Sequence, residues 1–131
     1  MKQKIVIITL ILLLIVCIVV FLIFYNREIF VGNRIANQNS YSLDIERMNG
    51  KDEHILDLKS GDTLIISFEA EEGTLHVEIK APDSNVVYVG NGIDEAKDFT
   101  VNIRESGVYK IEVKARHAKG KLSIQRKEIL P

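Results

Sequence analysis

The chain has 131 residues, a formal net charge of −1, no Trp and a single Cys. So even a charge balance argues against a general nucleic-acid binder, and one cysteine cannot build a disulfide framework.

Residues 5–25 form an apolar run with no charge, Gly or Pro, softened only by Thr9 and Cys17. As a helix rising about 1.5 Å per residue it spans roughly 31 Å, the hydrocarbon thickness of a bilayer. Lys2, Lys4 and the amino terminus precede it, while Arg27 and Glu28 roughly cancel after it. The positive-inside bias then keeps the N-terminus cytoplasmic and places the C-terminal part outside. A cleaved secretory signal fits poorly, because its apolar core is usually only about 7–15 residues and ends in a small-x-small pattern. Here Phe30 precedes Gly32 and Arg34 precedes Ala36 at that spacing. Cys17 follows Leu14-Ile15-Val16 in mid-span, which argues against a lipoprotein signal. The expectation is an uncleaved, single-pass signal-anchor. Its evenly distributed Ile, Leu and Val offer no small-residue packing face for another helix.

Residues 26–40 show no apolar periodicity and turn Asn-rich, which predicts a juxtamembrane linker. From residue 41 the period becomes two. Tyr41, Leu43 and Ile45 alternate with polar residues; turns are expected at 48–52, 60–62, 71–73, 81–85, 90–92, 105–107 and 116–120. The intervening apolar sets are Leu56/Leu58, Leu64/Ile66/Phe68/Ala70, Leu75/Val77/Ile79, residues 86–89, Phe99/Val101/Ile103, Tyr109/Ile111/Val113/Ala115 and Leu122/Ile124. About eight short strands with one apolar face each predict an all-β fold. The expected architecture is an antiparallel β-sandwich, jelly-roll or immunoglobulin-like, after one N-terminal transmembrane helix. The domain reading is 1–25 anchor, 26–40 linker and 41–131 extracytoplasmic sandwich.

The stretch from Leu58 to Ile124 resembles small β-sandwiches of the GOLD and bacterial pre-peptidase C-terminal type. The matching residues are Leu58-Lys59-Ser60-Gly61-Asp62-Thr63-Leu64, Ile79-Lys80-Ala81-Pro82-Asp83, Phe99-Thr100-Val101 with Ser106-Gly107-Val108-Tyr109, and Gly120-Lys121-Leu122-Ser123-Ile124. The resemblance covers about half the chain and implies a non-catalytic accessory module, with no site residues to carry over. GOLD-bearing membrane proteins place their anchor after the domain; here it comes first.

Few residues carry chemistry. His54, His76 and His117 are scattered, and no Ser lies in a Gly-x-Ser-x-Gly turn, so neither nucleophilic catalysis nor zinc is indicated. Asp83 with Asn85, and Asn91, Asp94, Glu95 and Asp98, form two oxygen-rich loops; of these Asn91, Asp94 and Asp98 are candidate calcium ligands. From Arg104 to Lys127 there are eight basic and two acidic residues. Arg116, Lys119 and Lys121 are the candidate contacts to an anionic partner or headgroup. Tyr41 and Tyr88 could flank a sugar or peptide, though strand positions favour the core. The sequence thus predicts no enzyme and no cofactor. It predicts a membrane-anchored sandwich that binds a protein or an anionic surface polymer through strand edges or loops. The alternatives are an accessory subunit of an envelope enzyme or membrane complex, and a calcium-binding module.

Overall fold

The computed structural model describes residues 1–92 and 97–127. Helix α1 (Lys2–Tyr25) is followed by strands β1 (Ile29–Ala36), β2 (Ser40–Leu58), β3 (Thr63–Lys80), β4 (Val86–Gly92), β5 (Lys97–Asn102) and β6 (Gly107–Lys127). Every α1 residue is exposed, so the other described residues leave most of its apolar surface uncovered. Within α1 the Thr9 hydroxyl is satisfied by the helix itself, Oγ1 donating to Ile5 O at 2.8 Å.

The remainder is a β-sandwich made by folding one antiparallel sheet over on itself. Strands run in the order β1-β2-β6-β3-β4, with β5 also pairing β3. Registers divide these strands between two layers. The first holds β1, residues 41–45 of β2, 120–125 of β6, 63–70 of β3, and β5. The second holds residues 50–58 of β2, 107–115 of β6, 74–80 of β3, and β4. Three long strands therefore belong to both layers.

The expected turns at 48–52, 71–73 and 116–120 are corrected by this arrangement. They are bulges and bends within continuous strands. Register slips in β2 on both sides of Met48 and in β3 on both sides of Glu72, facing residues 115–120 of β6. A bulge adds a residue on one strand, bends it and reverses which parity of side chain faces a given side. Inward residues accordingly switch from Tyr41, Leu43 and Ile45 to Met48, Leu56 and Leu58. They switch from Leu64, Ile66, Phe68 and Ala70 to Leu75, Val77 and Ile79. In β6 they switch from Tyr109, Ile111, Val113 and Ala115 to Ala118, Leu122 and Ile124. The same sheet face stays inside on both arms of the fold, and the buried side chains of both layers form one cluster.

Small residues make the crease possible. Ala70 faces Gly120, Gly50 faces Ala115, and Met48 faces Ala118. Gly73 sits at φ +68°, and a Cβ there would lie 2.1 Å from the carbonyl oxygen of His117. Only glycine permits that backbone approach.

At the other end, the 59–62 turn is pinned to the loop after β5. Gly61 N donates to Ile103 O and Ile103 N to Asp62 O, both at 2.8 Å. Asp62, buried, accepts from Lys59 N at 2.8 Å and pairs with Arg126 Nε at 2.9 Å.

A second correction concerns residues 26–40. Eight of them form β1, paired with β2 from Ile29↔Asn49 to Ala36↔Tyr41. As an outer strand, exposed along nearly its whole length, it has little buried face to impose an alternation. A bulge between Val31 and Gly32 further interrupts its period.

Candidate functional site

The most organised polar constellation lies on the open side of the sandwich, where β1 and the second arm of β2 flank one another without pairing. Arg34 is paired with inward-facing Leu43, and Asp52 and His54 are paired with inward-facing Val113 and Ile111. All three polar residues therefore turn toward the interior at the rim of their layers. Inward charges on an edge are a known way to prevent edge-to-edge association.

Here they meet one another. Arg34 Nε contacts Asp52 Oδ2 at 2.7 Å, joining the two layers, and its Nη2 reaches Glu53 O at 3.4 Å. The Tyr41 hydroxyl, from inside the core, donates to the same Asp52 oxygen at 2.5 Å. His54 stacks on the Tyr41 ring with centroids 5.4 Å apart. Its Nε2–H donates to Asn37 O at 2.8 Å, and the Arg34 guanidinium lies 5.7 Å from the Tyr41 centroid.

The electrostatics follow from the geometry. Burial, reinforced by the bond to Asp52, pushes the Tyr41 phenol far above its usual range. Burial also works to raise Asp52. The hydrogen bonds from Arg34 and Tyr41 outweigh it and hold the carboxyl below its ordinary value. Its bond to Asp52 in turn raises Arg34. A protonated tyrosine, an ionised carboxylate and a permanent cation form a closed network that ties the layers together. Beside it lies a cleft of about 300 Å³ lined by Phe30 and Met48 together with Glu28, Arg34, Lys51 and Asp52. Its lining thus mixes apolar and charged side chains.

This network escaped the sequence reading. Arg34 fell in the expected linker, Asp52 in an expected turn, and His54 at a strand start. Only the β1–β2 register brings them together. Tyr41 and Tyr88 are both buried, and Tyr88 packs against Phe99 with centroids 5.5 Å apart. Phe99, expected inside, is 41% exposed because β5 lies at the sheet edge.

The basic candidates separate into two settings. Lys119 pairs with Glu71 at 3.7 Å, and Lys121 stands between Asp44 and Glu69 on the neighbouring strands. Arg116 instead joins Lys51 and Lys114 in a groove beside the end of α1.

Of the calcium candidates, Asn91 lies in β4 opposite His76 and Asp98 in β5 opposite Ser67, in different layers. Asp94 and Glu95 fall outside the described residues. Asp83 accepts from Asn85 N at 3.0 Å and Asn85 Nδ2 at 2.7 Å, shaping its own turn. Among the described residues no three His, Cys, Asp or Glu gather as a metal site. His76 contacts Glu78 at 3.1 Å, and His117 stacks on Tyr25 with centroids 4.0 Å apart.

No protein-family model and no curated protein match the sequence. Among solved structures, the chain is similar to the periplasmic inhibitor of g-type lysozyme from Aeromonas hydrophila. The two share 15% identity over 70% of this chain and 89% of that one, with a TM-score of 0.51. It is also similar to the carbohydrate-binding module of Cellvibrio mixtus lichenase 5A, solved with cellotriose, at 12% identity, 77% and 88% coverage and a TM-score of 0.42. A module solved with β-1,4-galactotriose matches at 16% identity, 73% and 69% coverage and a TM-score of 0.41. At 15% identity the likeness to the lysozyme inhibitor speaks for the fold alone.

Proposed function

We propose that the protein is a single-pass, membrane-anchored, non-catalytic binding domain. Its sandwich is displayed on the extracytoplasmic side to engage a protein or surface polymer. The observation that carries this reading is α1. It has 24 residues with a mean hydropathy of 3.7 across its most apolar window, and none of that window is buried against the other described residues. An apolar helix of that length with no protein cover is stable in hydrocarbon and costly in water. Lys2 and Lys4 in its first turn orient it with the amino end inside. The resemblance of residues 58–124 to GOLD-type and pre-peptidase C-terminal-type accessory modules agrees with a binding role. So does the cleft lined by Phe30, Met48 and Asp52, which offers the partner apolar side chains beside a fixed carboxylate.

Protease added to intact cells should digest a tag placed after Pro131 and leave one placed before Met1 intact. The reverse pattern would overturn the topology. A mature amino terminus near residue 32 would overturn the anchor.

A further inference from the structure

Three residues, Asn26 to Glu28, separate α1 from β1, and they are held against the crease of the sandwich. The Tyr25 ring stacks on His117, Asn49 Nδ2 donates to Arg27 O at 3.1 Å, and the Glu28 side chain lies over Gly50. The crease therefore sits at the depth where α1 ends.

The outer face of the second layer carries charge in rows that cross β2, β6 and β3. The row nearest the crease is Lys51, Lys114 and His76. The next is Glu53, Glu112 and Glu78, followed by Ile55, Lys110 and Lys80. Two of these acids, Glu53 and Glu112, are committed to the row away from the helix. Lys80 pairs with Glu112 at 3.2 Å, and Lys110 pairs with Glu112 at 3.2 Å and Glu53 at 3.5 Å. His76 takes Glu78. Lys51 and Lys114 face each other directly across β2 and β6, and neither they nor Arg116 form an ion pair among the described residues. Like charges directly opposite in a sheet are destabilising, so this row calls for an anion from outside the chain. The three cations share a shallow groove of about 360 Å³ with Asn26, Asn49 and a single acid, Glu28.

We infer that this groove docks anionic phospholipid headgroups of the leaflet from which α1 emerges. The inference rests on the reading of α1 as a membrane anchor. The phosphate is the complementary group at that depth, and the amides of Asn26 and Asn49 add donors beside the cations. Each basic residue near an anionic surface favours it by about five-fold at ordinary ionic strength. The same contact holds the sandwich upright on the membrane, with the 59–62 turn at the far end. That end is about 26 Å away along the second arm of β2, beyond the reach of the surface field.

The test uses the full chain in vesicles of phosphatidylcholine alone, or with about one-third phosphatidylglycerol, and reads lysine acetylation by mass spectrometry. Lys51 and Lys114 should react about three- to five-fold more slowly in the anionic vesicles, and the difference should vanish in high salt. Lys59, at the far end, should react alike in both. Equal rates at Lys51 and Lys114 in protein that floats with both vesicles would overturn the headgroup surface and leave the anchor standing. Equivalent protection by inorganic phosphate in phosphatidylcholine vesicles would overturn it in favour of a soluble anion. Failure to float with either vesicle would overturn the anchor itself.

Discussion

Asp52 shows how a single side chain can close a sandwich. Its folded-state pKa lies below its unfolded value, because the bonds from Arg34 and Tyr41 exceed the effect of burial. Between those two values the unfolded chain holds more protons, so stability rises with pH there. This contribution is present above the unfolded pKa, near 4, and is lost as pH falls through the folded one. Thermal unfolding followed into the acid range should therefore fall less steeply in Asp52→Asn than in the natural chain. Parallel curves would show that the carboxylate contributes nothing pH-dependent. Tyr41→Phe removes one hydrogen bond to an ionised group from a buried position and should cost about 1.5–3 kcal/mol in denaturant unfolding. A neutral result would mean that water replaces the phenol at Asp52.

At the scale of the strand, the bulges matter more than the hydrogen bonds they interrupt. They let three strands serve both layers and keep one apolar face inside through the change of direction. Gly73 is the tightest point, with a positive φ and a carbonyl where a Cβ would sit. Gly73→Ala should lose more than about 1 kcal/mol, since it adds strain as well as a clash. Denaturant titration of the two chains checks this, and equal midpoints would show that the crease can relax. The faces of β6 give a second contrast. Ile111 is fully buried, whereas Lys110 lies on the outer charged rows. Ile111→Ala should cost about 2–5 kcal/mol, and Lys110→Ala far less, as expected for exposed ion pairs. Similar losses at both positions would mean the strand is the other way round.

For the whole molecule, β1 determines where a soluble fragment must begin. It supplies Arg34 to the network across the layers and covers the edge of β2 from residue 41 to 49. A fragment starting at Glu28 should unfold in one cooperative step. One starting at Ser40 should be weaker by at least about 1 kcal/mol, or roughly 4–8 °C in Tm for a domain of this size. Calorimetry of the two fragments measures it directly. Identical melting would show that β1 is a passenger on the sheet.

Local chemistry by itself determined the helix and the strands. A run of 21 uncharged residues without Gly or Pro states a helix, and alternation such as Leu64/Ile66/Phe68 states which face is inside without reference to any partner. Polar clusters around Gly50, Gly73 and Gly120 were ambiguous, because the same residues that make a chain reverse also let a strand bulge and bend. Only the tertiary structure decided between them, since a strand continues through such a point when its neighbours on both sides do so too. It also decided the place of residues 29–36, whose pairing leaves little buried pattern to read. The Arg34–Asp52–Tyr41 network and the Lys51–Lys114 row likewise arise between residues remote in sequence. Their charges were visible from the start, but their company depends on register, and register is set by burial across the whole sheet.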